Sequence, residues 1–461
     1  MKKRTFLKTS SALVTGSLLS PLIGCGPESE SSGAASSTTP PAAMERTNWA
    51  GNLTYSAEKL HEPDTREAVQ MVIHNNEKLR ALGTRHCFNN IADTTADQVS
   101  VLSQDEVFEL DEEAMTVTIE AGMTYGQLCP WLHERGYAIH NLASLPHISV
   151  AGACATATHG SGMKNGNLPS AVVAMQFIDG GANYQNLSRE ADGDKFAGAI
   201  VHLGSLGVLT RLTLKIEPTF DMYQHVYQDL PVAELEANFE DIMSAGYSVS
   251  LFTDWQSDTV NQVWIKSKVG EVRAGVGDAE FYGAKLFDRK VHPILDHPAE
   301  SCTDQMGIQG PWYERLPHFK MEFTPSSGKE LQSEFFVPLP NAVEAFKVIQ
   351  SFKRKLAPIL MISEVRAVAA DDFWMSPCYQ QDCIAFHFTL KQDWEYLKKL
   401  LPQIEGALHD LEVRPHWGKM FTIPKPRLEE LYPKLPDFRA LMREYDPNGK
   451  FINDYMREHL I

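Results

Sequence analysis

The sequence predicts two domains of mixed helix and strand, and three observations carry that expectation. First, the 461 residues exceed what a single hydrophobic core usually fills. Second, 43% hydrophobic and 22% charged residues are ordinary globular values. They exclude a disordered chain, a collagen-like fibre and a multi-span membrane protein. Third, the segment pattern changes near residue 219. Strands and helices alternate before it, an α+β or α/β arrangement, and strands separated by longer segments follow it. The 42 basic and 59 acidic side chains give a formal net charge of −17. That argues against nucleic acid, whose phosphates need a positive field, and against electrostatic docking on anionic lipid.

The amino terminus reads as an export leader over residues 1–24. Met1-Lys2-Lys3-Arg4 is basic, and the apolar, small-residue run from Ser11 to Ile23 is too short to span a bilayer. Lys3-Arg4-Thr5-Phe6-Leu7-Lys8 resembles a twin-arginine signal with Lys in the first arginine position. Leu22-Ile23-Gly24-Cys25 resembles a bacterial lipobox, with Cys25 as the acylated residue. The alternative is a cysteine that merely closes the leader. The expected location is thus periplasmic or on the cell surface, with membrane contact only through lipid on Cys25. Residues 25–44, rich in Ser, Ala, Pro, Gly and Thr, cannot bury enough apolar surface to order themselves and read as a disordered tether. Cys87, Cys129, Cys154, Cys302, Cys378 and Cys383 form no CxxC pair. Zinc and iron–sulfur sites therefore lack their usual spacing, and no metal is expected. Cys378 and Cys383 are the nearest pair for a disulfide, which export would permit.

Thr65 to Asn75 carries Val69, Val72 and Ile73 at helical spacing, with Asp64 as the expected cap and Glu67 three residues on. Lys78–Leu82 and Val99–Leu102 read as short strands. Thr116–Glu120 alternates with period two and closes at Gly122. Tyr125 to Arg135 reads as a helix ending before Gly136. Ala171–Asp179 and Leu209–Ile216 are further strands. Beyond residue 219 come Tyr247–Trp255, Gln262–Lys266, Lys320–Thr324, Gln332–Val337 and Ile384–Thr389. Phe386 and Phe388 alternate with His387 and Thr389, so one face packs and the other meets solvent or a hydroxylated ligand. The last fifty residues read as turns and short helices.

Three segments carry candidate chemistry. In Ala81-Leu82-Gly83-Thr84-Arg85-His86-Cys87-Phe88-Asn89 a strand runs into a tight turn at Gly83, whose backbone amides could cradle an anion. His86 could equally cap the loop. Ser144 to Gly162 is rich in small residues, which suit either close approach of backbone to a ligand or close packing. Leu203-Gly204-Ser205-Leu206-Gly207-Val208 precedes a strand. Neither GxGxxG after a first strand nor a Walker A motif occurs.

These segments resemble the FAD-binding domain of the vanillyl-alcohol-oxidase superfamily, and within it the alditol oxidase (xylitol/sorbitol oxidase) branch. Ser144-Leu145-Pro146-His147-Ile148-Ser149-Val150-Ala151-Gly152 and Arg414-Pro415-His416-Trp417-Gly418-Lys419 are long, specific matches. The resemblance runs from Thr47-Asn48-Trp49 to Asn448-Gly449-Lys450-Phe451. It implies a two-domain α+β PCMH-type fold, with an FAD-binding domain over 45–218 and a substrate domain on a large antiparallel sheet over 219–414. Residues 415–461 would return to the FAD domain. It implies covalent attachment of FAD through His86, although this chain has Cys87 where Ser is usual and Gly83-Thr84-Arg85 where Gly-Ser-Gly is common. Gly83, Thr84, Arg85, His86, Cys87, Ser144, Ser149, Gly152, Thr156, Ala157, Thr158, His159, Val208 and His416 would line the cofactor. Lys419, Arg366, His387 and Glu364 would be catalytic, with Ser144, Gln332, Glu364, Arg366, Thr389 and Lys419 on the substrate. The implied reaction is oxidation of a polyol's terminal carbinol to the aldose, with hydride transfer to flavin N5. Dioxygen would be the acceptor and hydrogen peroxide the product, in a monomer, with Ala143 near the oxygen path. Two alternatives stand beside it: an aldonolactone oxidase or dehydrogenase, and a non-catalytic lipoprotein holding FAD or sugar.

Overall fold

The computed structural model describes residues 46–323 and 329–461. The expected leader, tether and acylated Cys25 lie outside the described residues.

Three of the four sheets among the described residues organise the fold. A small parallel sheet takes Leu60–His61, Asp97–Val99 and Leu79–Ala81 in that order. An antiparallel sheet follows, ordered Val107–Asp111, Thr116–Glu120, Gly207–Lys215, Val172–Asp179, Tyr184–Ser188. Thr116–Glu120 falls where the alternation put it, with Val117 and Ile119 fully buried. The strand expected at Val99–Leu102 sits earlier, at Asp97–Val99. Its pairing partner ends at Ala81, opposite Val99, and the chain then turns, Gln104 N–H donating to the Val101 carbonyl.

The first helix is Arg66–Asn75, burying Val69 and Ile73. Its cap is Thr65, whose hydroxyl accepts from Ala68 N–H, and not Asp64. The Tyr125–His133 helix begins with a reciprocal Thr124–Gln127 capping box and ends two residues short of Arg135. A six-residue helix, Val150–Ala155, forms within the small-residue run that carried no helical pattern.

The third sheet is larger and antiparallel. Its central strands run in the order Asp221–Pro231, Thr259–Lys268, Ser248–Thr253, Leu360–Val368, Cys383–Lys391, Glu330–Pro338 and Arg414–Pro415. Residues 320–323, expected to begin a strand, form a turn instead, with Phe323 N–H bonded to the Lys320 carbonyl. One face of the sheet presents Leu251, Ile265, Phe335, Val365, Phe386 and Phe388, all buried in one core with Phe346 and Leu397 of the helices behind it. By the period-two rule the other face presents Gln332, Glu334, Glu364, Arg366, His387 and Thr389.

The C-terminal part folds back onto the beginning. The Asp446 carboxylate accepts from the backbone N–H groups of Lys450 and Phe451, both at 2.7 Å. The buried Arg80 guanidinium donates to the carbonyls of Ile91, Leu203, Gly204 and Phe451 at 2.6–2.8 Å. Four satisfied donors in place of a counter-ion make this a clasp between distant segments. The six described cysteines are free thiols, Cys378 and Cys383 included.

Candidate active site

A cavity of about 600 Å³ runs between the small-residue segments and the polar face of the large sheet. The 83–87 loop forms one end of its wall. Gly83 is needed there for close approach: a Cβ would lie 3.3 Å from Ser149 Oγ. Ser149 N–H in turn donates to Thr84 Oγ1 at 3.3 Å. Arg85 takes φ 64°, the left-handed region that explains why glycine suits this position. Arg85 is exposed at the cavity wall, so the departure from Gly-Ser-Gly costs backbone strain. The Thr47–Asn52 segment clasps the loop through Trp49 N–H to the Arg85 carbonyl and Asn48 Nδ2 to the Cys87 carbonyl. Trp49 stacks on His86 at 5.5 Å between ring centroids.

His86 lines the cavity with both ring nitrogens buried and unpartnered. Burial, then the neighbouring His147, lowers its pKa to about 4, so the ring is neutral and keeps a lone pair. Burial likewise pushes the Cys87 thiol up to about 11. Cys87 packs against the 416–419 turn, where a Cβ on Gly418 would meet its Sγ at 3.1 Å. Of the expected cofactor residues, Thr84, Arg85, Ser144, Ser149, Gly152, Thr156, Thr158, His159, Val208 and His416 also line the cavity. Ala157 does not; it is buried in a turn with φ 53°. His202, which sequence reasoning missed, lines the wall with Nε2 unpartnered.

The polar sheet face forms the other wall. Pairing register sets Glu334, His387 and Glu364 in one row across three strands, with Gln332, Thr389 and Ile362 in the next. Glu334 organises the first row. Its carboxylate accepts from Arg366 Nη2 and Lys419 Nζ, each at 2.7 Å, and from His159 Nε2 at 3.2 Å. Burial would raise this carboxyl, but Lys419, His159 and Arg366 outweigh it and hold it well below its usual value. Glu364 is lowered in the same way: burial opposes, and Arg366 and His318 prevail. His318 Nε2 lies 2.7 Å from Glu364 Oε1. Glu334 was missed although it follows Gln332 by two residues, where period two would have placed it on the same face. His318 lies in a loop, beyond the reach of periodicity.

His387 Nε2 meets Gln332 Oε1 at 3.0 Å, while Gln332 Nε2 donates to Glu330 Oε1 at 2.6 Å. A carboxylate only accepts, so the amide oxygen must face His387. His387 therefore carries its proton on Nε2 and presents Nδ1 as an acceptor. Burial, then Lys419, lowers its pKa to about 3. Lys419 is half-buried and lines the cavity. Its turn is fixed by Asn89 Nδ2, which donates to the carbonyls of Trp417 and Lys419. Ser144 Oγ accepts from Arg366 Nη1 at 3.4 Å.

Residues 60–188 match the family model of an FAD-binding domain, and residues 324–459 that of D-arabinono-1,4-lactone oxidase. The chain is 43% identical to an alditol oxidase of a Streptomyces species, over 90% of this chain and 98% of that relative. It belongs to the alditol oxidase branch of the PCMH-type FAD flavoproteins. More distant relatives include an L-gulono-1,4-lactone dehydrogenase of Mycobacterium tuberculosis (27%, over 90% and 98%) and the mouse L-gulonolactone oxidase (23%, over 89% and 97%). The cholesterol oxidase of B. sterolicum shares the fold, with a TM-score of 0.73 at 13% identity over 93% and 100% of the two chains. The first matched segment holds the 83–87 loop and the small-residue run, and the second holds Gln332 through Lys419. His318 lies between them, in neither. FAD is the cofactor, and the unpartnered nitrogens of His86 together with the small-residue wall fit it.

Proposed function

We propose that the protein oxidises a polyol at a terminal carbinol to the aldose while dioxygen is reduced to hydrogen peroxide. The identity to an alditol oxidase carries this reading, and the rows of polar side chains support it. Bound in the cavity, FAD supplies the acceptor for the hydride that leaves the carbinol carbon. Glu364, Gln332 and Thr389 hold successive hydroxyls, which discriminates against substrates lacking them. Arg366 and Lys419 place positive charge where the reacting oxygen gains negative charge. An ammonium paired with Glu334 has no lone pair to offer. His387 does, so it takes the hydroxyl proton at Nδ1.

We also infer that FAD is bonded to His86 through the 8α-methyl carbon. The bond replaces an N–H and a C–H, and the two electrons released pass to dioxygen. The buried, neutral, unpartnered ring supports this.

The test is anaerobic flavin reduction with xylitol, sorbitol and an aldonolactone, then peroxide assay in air. Reduction by polyols with peroxide formation is expected. Reduction by the lactone alone would replace the polyol reading with that of the lactone relatives. Lys419→Ala should keep its flavin spectrum yet be reduced at least about a hundredfold more slowly, the usual loss for one electrostatic stabiliser.

A further inference from the structure

Behind Glu364 lies a group that the reaction as described does not use. Lys266, on the Thr259–Lys268 strand, is 1% exposed and does not line the cavity. Its ammonium touches no carboxylate. It donates instead to the carbonyls of Leu316 and Pro317 at 2.5 and 3.1 Å, and it lies 3.1 Å from His318 Nδ1. A buried cation without a contacting anion is expensive to keep, and a methionine of similar length would fill the space.

The third contact gives the lysine a task. The Glu364 carboxylate only accepts, so His318 Nε2 carries the ring proton and Nδ1 is left to accept from the charged form of Lys266. That proton points at Glu364 Oε1, 2.7 Å away. The ring cannot swing aside. Phe252 and Trp264 meet it edge-on, with centroids at 5.5 and 5.2 Å. Its backbone N–H is tied to the Ser144 carbonyl at 3.1 Å. With the opposite tautomer, a nitrogen lone pair would face the carboxylate and push it out of place.

We propose that Lys266 is a positioning residue: acting through His318, it fixes the Nε2–H tautomer and so holds Glu364 as an ionised acceptor facing the substrate. The identity of that substrate rests on the polyol reading; the tautomer does not. Burial lowers the pKa of Lys266 to about 7; Glu364 and Cys302 favour its charge, and Arg366 and Arg315 oppose it.

Two measurements test this. In holoenzyme labelled with ¹⁵N-histidine and free of substrate, His318 should be wholly Nε2–H. An Nδ1–H ring in the wild type overturns the proposal whatever the substrate is. Lys266→Met, with Lys266→Gln as a second variant, should give a mixture of tautomers. Dissociation constants for xylitol, read from the flavin absorbance change before reduction, should rise about tenfold, with limiting reduction rates within threefold of wild type. His318→Leu should weaken binding similarly, and adding Lys266→Met to it should change affinity less than twofold, because the lysine then has no ring to act through. Unchanged affinity in the single lysine variants, or full additivity in the double variant, overturns the proposal. If wild-type flavin is reduced only by an aldonolactone, the polyol reading fails and the same affinity comparison is made with that lactone.

Discussion

Glu334 is the residue on which the most charge converges. Its two oxygens hold Arg366, Lys419 and His159 within 3.2 Å. Glu334→Gln keeps the shape and removes the anion, leaving Arg366 and Lys419 without the carboxylate they share. Removing one partner of a buried pair typically costs about 3–5 kcal/mol, so urea unfolding of this variant should show a loss of that size. Its flavin should be retained, because Glu334 does not belong to the 83–87 loop. His86 is tested separately. Flavin fluorescence should stay with the denatured protein on an acid-soaked gel, and His86→Ala should release all of its flavin on denaturation. Much of this was legible in the sequence. Gln332, Glu364, Arg366, His387, Thr389 and Lys419 were all expected and all line one cavity. Lys266 and His318 were not legible, since a residue that acts by touching another residue leaves no period or spacing in the chain.

At the scale of elements, the alternating strands were read well because burial on one face writes itself into every second position. Thr116–Glu120 and Cys383–Lys391 are examples. The Asp221–Pro231 strand was missed because Gln224 is buried and His225 half-buried, which blurs its alternation. The Val150–Ala155 helix was missed for a different reason: residues this small give no amphipathic contrast. Its Gly152 is exposed to the cavity and sits against Ser149, whose Oγ would be 2.8 Å from a new Cβ. A side chain there has nowhere to go but into the ligand space. Gly152→Val should therefore fold normally by circular dichroism yet purify with markedly less flavin, read as the ratio of absorbance at 450 to 280 nm (roughly the flavin and protein bands).

Burial keeps the rings of His86, His202, His318 and His387 uncharged. Burial is the leading cause in each case, lowering His318 to about 4 and His387 to about 3, and lowering His416 as well. Unfolded, these rings would titrate near 6.5, so the unfolded chain binds more protons below that pH. The lowered carboxyls of Glu334 and Glu364 act in the same sense below their ordinary value of 4.5. The contribution of these groups should be complete above pH 6.5 and be lost as the solution is acidified, partly offset by the buried carboxyl of Asp371, which burial raises to about 7 and which acts in the opposite sense. The urea midpoint should drop between pH 7 and pH 5 by an amount equivalent to on the order of a few kcal/mol. A midpoint that rises over this interval would contradict the assignment of neutral buried rings.

The Arg80 clasp bears on how the protein comes to be made. Arg80 lines the cavity and is synthesised early, but one of its four acceptors is the carbonyl of Phe451. Translation therefore lays down the cofactor's walls long before it supplies the last bolt. Until Phe451 has emerged from the ribosome, that side of the chamber stays unfastened. A chain ended before Phe451 should therefore lack one of the four bonds that hold Arg80, and should purify with less flavin than the full chain.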